Sequence, residues 1–248
     1  MTYCVGIKVK EGLIGLADTR MTAGNQTLTA RKVSIEQKHG DHAVFLMTSG
    51  LRALRDKAVT YFQEIIEETG FEYKKMYKLV NAFGGQIRRV AQEDRMALQQ
   101  SNYDFNIHAL IAGQLEDDKE HKLFMIFPEG NWVEVGEANP YFIIGNTTNG
   151  KPILDRVLRY DSTLEFAIKV SFLSFNATQV SSNDVDYPVD VIIYRKDSFT
   201  MAEERLTQEQ MAPYTSWWQN HLAKLIEEFP GDWAAELLAH YQQEQQQQ

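Results

Sequence analysis

The chain has one cysteine, Cys4, in 248 residues. A lone thiol excludes an intramolecular disulfide and a cysteine-based metal cluster. Its six histidines, His39, His42, His108, His121, His221 and His240, have no metal-ligand spacing. Cations are also in deficit: 25 Lys and Arg stand against 34 Asp and Glu, a formal net charge of −9. Such a chain lacks the electrostatic footprint for nucleic acid or anionic membranes, so neither is expected as a partner. No apolar run approaches the ~20 residues that span a bilayer. The first residues have no basic region, and their apolar positions alternate with polar ones, unlike a secretory signal. The expected location is the cytoplasm. No Gly-rich phosphate loop is present, so an ATP-driven role would need a separate partner, and no cofactor is expected. No stretch rich in Pro, Gly or Ser divides the chain. The remainder is ordinary for a globular protein, 44% hydrophobic and 24% charged.

The chain opens on a strand-like run, Tyr3 to Val9, a turn at Lys10-Glu11-Gly12, and a second run, Leu13 to Arg20. A polar loop, Met21 to Ala30, leads to Arg31–Glu36 and then to the apolar strand Ala43–Met47, ending in Thr48-Ser49-Gly50. The first fifty residues thus read as four strands. Leu51, Leu54, Ala58, Tyr61, Phe62 and Ile65 lie on one face at helical spacing, with Gly70 where a C-terminal cap belongs. A second helix is expected from about Tyr73 to about Gln99, its stripe formed by Met76, Leu79, Val80, Phe83, Ile87 and Val90. Gly84-Gly85 in its middle is read as close packing, not a kink. Strands follow near Phe105–Ala112, Leu123–Phe127, Trp132–Val135 and Tyr141–Gly145. Helices come next near Lys151–Tyr160 and Leu164–Ala177, then a strand pair, Val189–Tyr194 and Phe199–Ala202.

Helices do not alternate singly with strands, so a doubly wound parallel sheet is disfavoured. The pattern predicts an α+β fold in which two face-to-face sheets carry helices on their outer faces. Beyond residue 206, capping-box spacing at Thr207–Gln210 starts an aromatic-rich helical hairpin to residue 241. It is broken at Pro230-Gly231 and suits either its own domain or a subunit contact. Residues 242–248 are Gln-rich and expected to be a frayed, disordered tail.

The chemistry begins at residue 2. Methionine aminopeptidases remove Met1 readily before a small residue, and Thr2 is small. Removal would leave a hydroxyl and a free α-amine on one residue, a self-contained nucleophile and base. With Met1 retained, that nitrogen is an amide and the base does not exist. The amine needs a cation nearby to lower its pKa from about 8. The cation needs a carboxylate to hold it, and the developing oxyanion needs a backbone N–H. Asp18 ends the second strand, across the hairpin from Thr2. Lys32 starts the third, and Gly50 ends the fourth, where glycine permits close approach of substrate. Each is weak evidence singly; their order after Thr2 is far more specific. Cys4 lies two residues too late for such a role.

These residues resemble the proteasome β-subunit family of N-terminal nucleophile hydrolases. Ala17-Asp18-Thr19-Arg20 looks like that family's Ala/Ser-Asp-x-Arg segment, Lys32 falls near its catalytic lysine, and Ser49-Gly50 looks like its oxyanion-hole segment. The opening Met-Thr-Tyr-Cys-Val-Gly-Ile-Lys, the stretch Gly150–Arg156, and Ser174-Phe175 through Ser182-Asn183 are most similar to the Anbu branch, the bacterial ancestral β subunit.

The resemblance implies a four-layer αββα sandwich over residues 1–206, with the active site at the open end of the sheets. It implies threonine-type peptidase chemistry on peptide substrates by Thr2, Lys32, Asp18 and Gly50. It also implies a homo-oligomer, a ring or spiral of many subunits, and leaves room for an unidentified regulator. Two positions depart from the family. Asn146, in Gly145-Asn146-Thr147-Thr148, stands where proteasomes carry an auxiliary serine. Asp184, in Asp184-Val185-Asp186-Tyr187-Pro188, matches the family's aspartate, but Tyr187 replaces its serine. The Gly-Pro-Pro expected of Anbu in that loop is also absent. These departures leave two other readings open: a catalytically idle or very weak assembly protein, and a small-molecule amidase on the same fold.

Overall fold

A computed structural model describes residues 2–23 and 26–246. Met1, whose removal the expected chemistry requires, lies outside the described residues. So do Gly24-Asn25 and the last two glutamines. The chain divides into two compact units after Thr207.

In the first unit, β1 (Tyr3–Val9) and β2 (Gly12–Asp18) form the expected hairpin. Both are buried at every position, as strands covered on two faces must be. They lie inside a five-stranded sheet of order β10-β1-β2-β11-β12, where β10 is Tyr141–Gly145, β11 is Val189–Arg195 and β12 is Met201–Leu206. A second sheet has the order β5-β6-β7-β8-β9. Its strands are β5 (Val33–Lys38), β6 (His42–Gly50), β7 (Ile107–Leu115), β8 (Lys122–Ile126) and β9 (Trp132–Glu134). All pairings in both sheets are antiparallel.

Two-residue periodicity sorts β6 and β7 between two cores. Ala43, Phe45, Met47, Leu110 and Ala112 meet Cys4, Leu13, Ile144 and Ile192 between the sheets. Val44, Leu46, Ala109 and Ile111 turn to the other face, under α1 (Arg52–Thr69) and α2 (Met76–Gln100). On the far side, α4 (Leu164–Ser181) covers the first sheet, with Phe175 and Ser174 against Tyr3. Between β10 and α4 lies α3 (Lys151–Val157). The order helix, sheet, sheet, helix is the predicted four-layer α+β sandwich.

The predicted stripe of α2 is the buried face observed, and Gly70 caps α1 with φ 71°. The glycine pair separates into two different environments. A Cβ on Gly84 would stand 2.3 Å from the Gly130 carbonyl oxygen, whereas one on Gly85 would meet nothing closer than 3.9 Å. Close packing therefore belongs to Gly84 alone, and α2 runs unbroken.

The polar loop expected at Met21–Ala30 is instead a two-stranded ribbon, β3 (Arg20–Ala23) with β4 (Gln26–Thr29). Among the described residues, the first fifty therefore hold six strands, not four. Among the described residues the ribbon joins neither five-stranded sheet, and its sequence shows no apolar alternation.

The second unit holds α5 (Gln208–Glu227) and α6 (Asp232–Gln246). The Gln-rich segment expected as a frayed tail is helical as far as Gln246, consistent with the good helix propensity of Gln and Glu. Trp217, Ile226, Phe229, Trp233, Leu237 and Leu238 are exposed. Among the described residues, no helix is long and apolar enough to cross a membrane.

Candidate active site

Register brings the site together. In the antiparallel pairing of β1 with β2, Cys4 faces Ala17, so Asp18 arrives beside the start of β1. On the other flank Tyr3 faces Gly145, the last residue of β10. Thr2 therefore sits between the ends of two neighbouring strands, 8% exposed.

Main-chain bonds fix Thr2 from both sides. The Tyr3 N–H donates to Asp18 Oδ1 at 2.8 Å, and the Asn146 N–H donates to the Thr2 carbonyl at 2.7 Å. Gly145 has φ +90°, and a Cβ there would lie 1.9 Å from the Thr2 carbonyl oxygen. Only glycine fits that approach.

The cation and its carboxylate are one buried unit. Lys32 Nζ donates to Asp18 Oδ1 at 2.6 Å, with side chains 1% and 0% exposed. It also donates to the Arg20 carbonyl at 2.7 Å. An ammonium has three donors, so one remains uncommitted by these two bonds. Burial raises the Asp18 pKa from its usual value, and Lys32 and the Tyr3 N–H oppose that rise. Asp18 Oδ2 has no hydrogen-bond partner among the described residues.

The second sheet supplies the other wall. Gly50, with φ +113°, ends β6, and a Cβ on it would stand 2.1 Å from the Asn106 carbonyl oxygen. Thr2, Lys32, Ser49, Gly50 and Gly145 all line one open cavity of about 540 Å³. Four of the six candidates, Thr2, Asp18, Lys32 and Gly50, thus converge. Asp18 reaches the cavity through Lys32.

Asn146 and Asp184 do not line that cavity. Asn146 touches Thr2 through its main chain, while its side-chain oxygen accepts from the Thr148 N–H at 3.3 Å. Asp184 lies in the turn between α4 and β11. Its neighbour Asp186 makes the connection to the site, taking Arg20 Nη1 at 2.9 Å. Arg20 therefore links the two parts: its carbonyl holds Lys32, and its guanidinium holds the loop before β11.

Cys4 points between the sheets, where burial pushes its thiol pKa up to about 12. An inert thiol there agrees with the reading that set it aside.

Sequence reasoning missed Asp186 and Arg55. The latter is a buried cation on the cavity wall. Its signal was available, because Leu51, Arg55, Ala58 and Phe62 follow i, i+4, i+7, i+11 along the apolar stripe of α1.

Fold and site together define the class: an α+β hydrolase fold of the N-terminal nucleophile type, with residue 2 at the convergence of two sheets. The proteasome subunit family matches residues 2–191, and the chain belongs to that family. It is 25% identical over 201 residues to proteasome subunit beta 2 of Pyrobaculum islandicum, spanning 80% of this chain and 93% of that one. Among solved structures it resembles Anbu, the ancestral β-subunit, from Yersinia bercovieri at 30% identity and a TM-score of 0.86, covering 92% of this chain and 98% of that one. The helical assembly of the Anbu complex from Pseudomonas aeruginosa matches at 26% identity with a TM-score of 0.84, covering 92% and 97%.

Proposed function

We propose that this protein is a threonine-type hydrolase of peptide amide bonds, active once Met1 is removed and working as a homo-oligomer. The observation that carries the proposal is the buried Asp18–Lys32 pair, whose lysine shares the walls of one cavity with Thr2.

In this reading Thr2 Oγ1 attacks the substrate carbonyl, and its own α-amine accepts the hydroxyl proton. The Lys32 ammonium lowers the amine pKa, so that more of it is neutral at pH 7. Asp18 holds Lys32 in place, and the Gly50 N–H receives the oxyanion. Collapse of the tetrahedral intermediate breaks the C–N bond, and the amine passes its proton to the leaving nitrogen. An ester on Thr2 remains. Water then attacks that ester by the same route and restores the hydroxyl. Asn146 positions Thr2 through its main-chain bond, and Asp184 belongs to the loop that braces Arg20. Assembly is supported by the helical assembly of the Pseudomonas aeruginosa neighbour, and the exposed aromatics of α5 and α6 suit a subunit contact.

Asn146 gives a second reading its footing. An amide cannot pass a proton as the family's serine hydroxyl can, which favours an idle or very weak assembly protein on the same fold. Replacing Thr2 with Ala separates the two. The hydrolase reading expects a folded, assembled variant whose turnover of peptide amides or esters falls by about 10³-fold or more. Turnover that survives the substitution overturns it, and wild-type protein inert toward every such substrate supports the second reading.

A further inference from the structure

Four cations line the cavity beside Thr2: Arg20, Lys32, Arg52 and Arg55. Three are already matched to carboxylates. Arg20 holds Asp186 at 2.9 Å, Lys32 holds Asp18 at 2.6 Å, and Arg52 holds Asp56 at 3.1 Å. Arg55 differs. It is 6% exposed, its Nε has no hydrogen-bond partner, and no carboxylate pairs with it among the described residues.

A buried guanidinium without an anion is costly to the fold. Burial lowers the Arg55 pKa, ahead of the opposing pull of Asp56. Arg55 and Lys32 also line a second cavity, of about 230 Å³. The first turn of α1, which carries Arg55, has no acidic residue to offset the positive end of the helix. Among the described residues lining the first cavity, Asp104 carries the opposing charge, and it is exposed.

We propose that the cavity beside Thr2 takes an acidic side chain, with Arg55 pairing the carboxylate of a Glu or Asp whose own carbonyl Thr2 attacks. Arg55 is then the specificity-determining residue. The site completes itself only with an anionic residue in place, because that carboxylate supplies the partner the guanidinium lacks. A neutral isostere such as Gln leaves the cation unpaired, and a Lys side chain places a second cation beside it. The inference rests on the reading of Thr2 as nucleophile.

Binding tests it without requiring turnover. The Thr2→Ala protein is titrated calorimetrically with acetyl-tripeptide amides that end in Glu, Gln, Leu or Lys. The Glu peptide is expected to bind about tenfold or more tightly than the Gln peptide, the scale of one charge-assisted hydrogen bond. Adding Arg55→Gln should bring that ratio close to one. Equal affinities for Glu and Gln, preference for Leu or Lys, or a Glu preference that survives Arg55→Gln would each overturn the proposal. The first comparison needs no change at Arg55, so a variant that fails to fold does not protect it. Arg55→Met supplies a further check: removing an unpaired buried cation should leave the melting temperature unchanged or higher. A clear fall would mean that Arg55 serves the fold. Wild-type protein that binds Glu peptides selectively but cleaves none would sink the hydrolase reading and with it the attack by Thr2, while the pairing of Arg55 with a carboxylate would stand.

Discussion

Lys32 Nζ lies 2.6 Å from the Asp18 carboxylate, and both side chains are essentially dry. Such a pair is poor value for stability, because removing both charges from water offsets much of their attraction. Its persistence beside Thr2 points to function. Breaking it on one side should be severe. Lys32→Met is expected to lose about 3–5 kcal/mol in urea unfolding by stranding a buried carboxylate. The double variant Asp18→Asn, Lys32→Met should recover much of that loss while remaining without turnover. A single variant that loses under about 1 kcal/mol would mean the pair is hydrated in solution.

Gly84 and Gly85 make a paired test of the packing of α2. A Cβ on Gly85 would meet only the Arg88 side chain, at 3.9 Å, so Gly85→Ala should stabilise by about 0.5–1 kcal/mol through helix propensity. Gly84→Ala drives a methyl group into the Gly130 carbonyl and should cost about 1–3 kcal/mol. Equal effects in urea unfolding would contradict the close approach.

His121 sets an acid limit on the fold. It is 1% exposed and bonds the Val9 carbonyl through Nε2 at 2.8 Å, with no partner for Nδ1 among the described residues. Burial lowers its pKa, and the Val9 bond opposes that shift only partly. Unfolded His121 takes up a proton near pH 6.5, whereas the folded residue does so only at lower pH. Between those values the unfolded state binds more protons, so this contribution is present above about pH 6.5 and is lost as pH falls through the folded pKa. The urea midpoint should drop more steeply from about pH 7 to about pH 5.5 for wild type than for His121→Gln. Parallel curves would show that His121 does not report burial.

Much of this organisation was readable in the chain because burial leaves periodic marks. The α2 stripe and the alternation of β6 do so, and the Thr2, Asp18, Lys32 and Gly50 candidates meet because strand ends in register meet. What was not readable lacks such a mark. Among its described side chains, the β3–β4 ribbon has only Met21 and Leu28 as large apolar residues, with Leu28 exposed, so no alternation distinguishes it from a loop. Asp184 and Asp186 are two residues apart in one turn, and only the path of that turn decides which reaches Arg20. Arg55 lies within the apolar stripe of α1, where a lone charge carries no periodic mark that separates it from flanking surface. The glutamines of α6 look like a tail by composition, whereas their helix propensity favours the helix they form.

During turnover Thr2, freed of Met1, is expected to carry the acyl group. The most direct test is the mass of the N-terminal peptide from protein quenched during turnover of a peptide ester. The expected peptide begins at Thr2 and is heavier by the acyl group of the substrate, an adduct that disappears on longer incubation as water releases it. A peptide that still begins at Met1, or an unmodified Thr2 while the ester is being consumed, would contradict it.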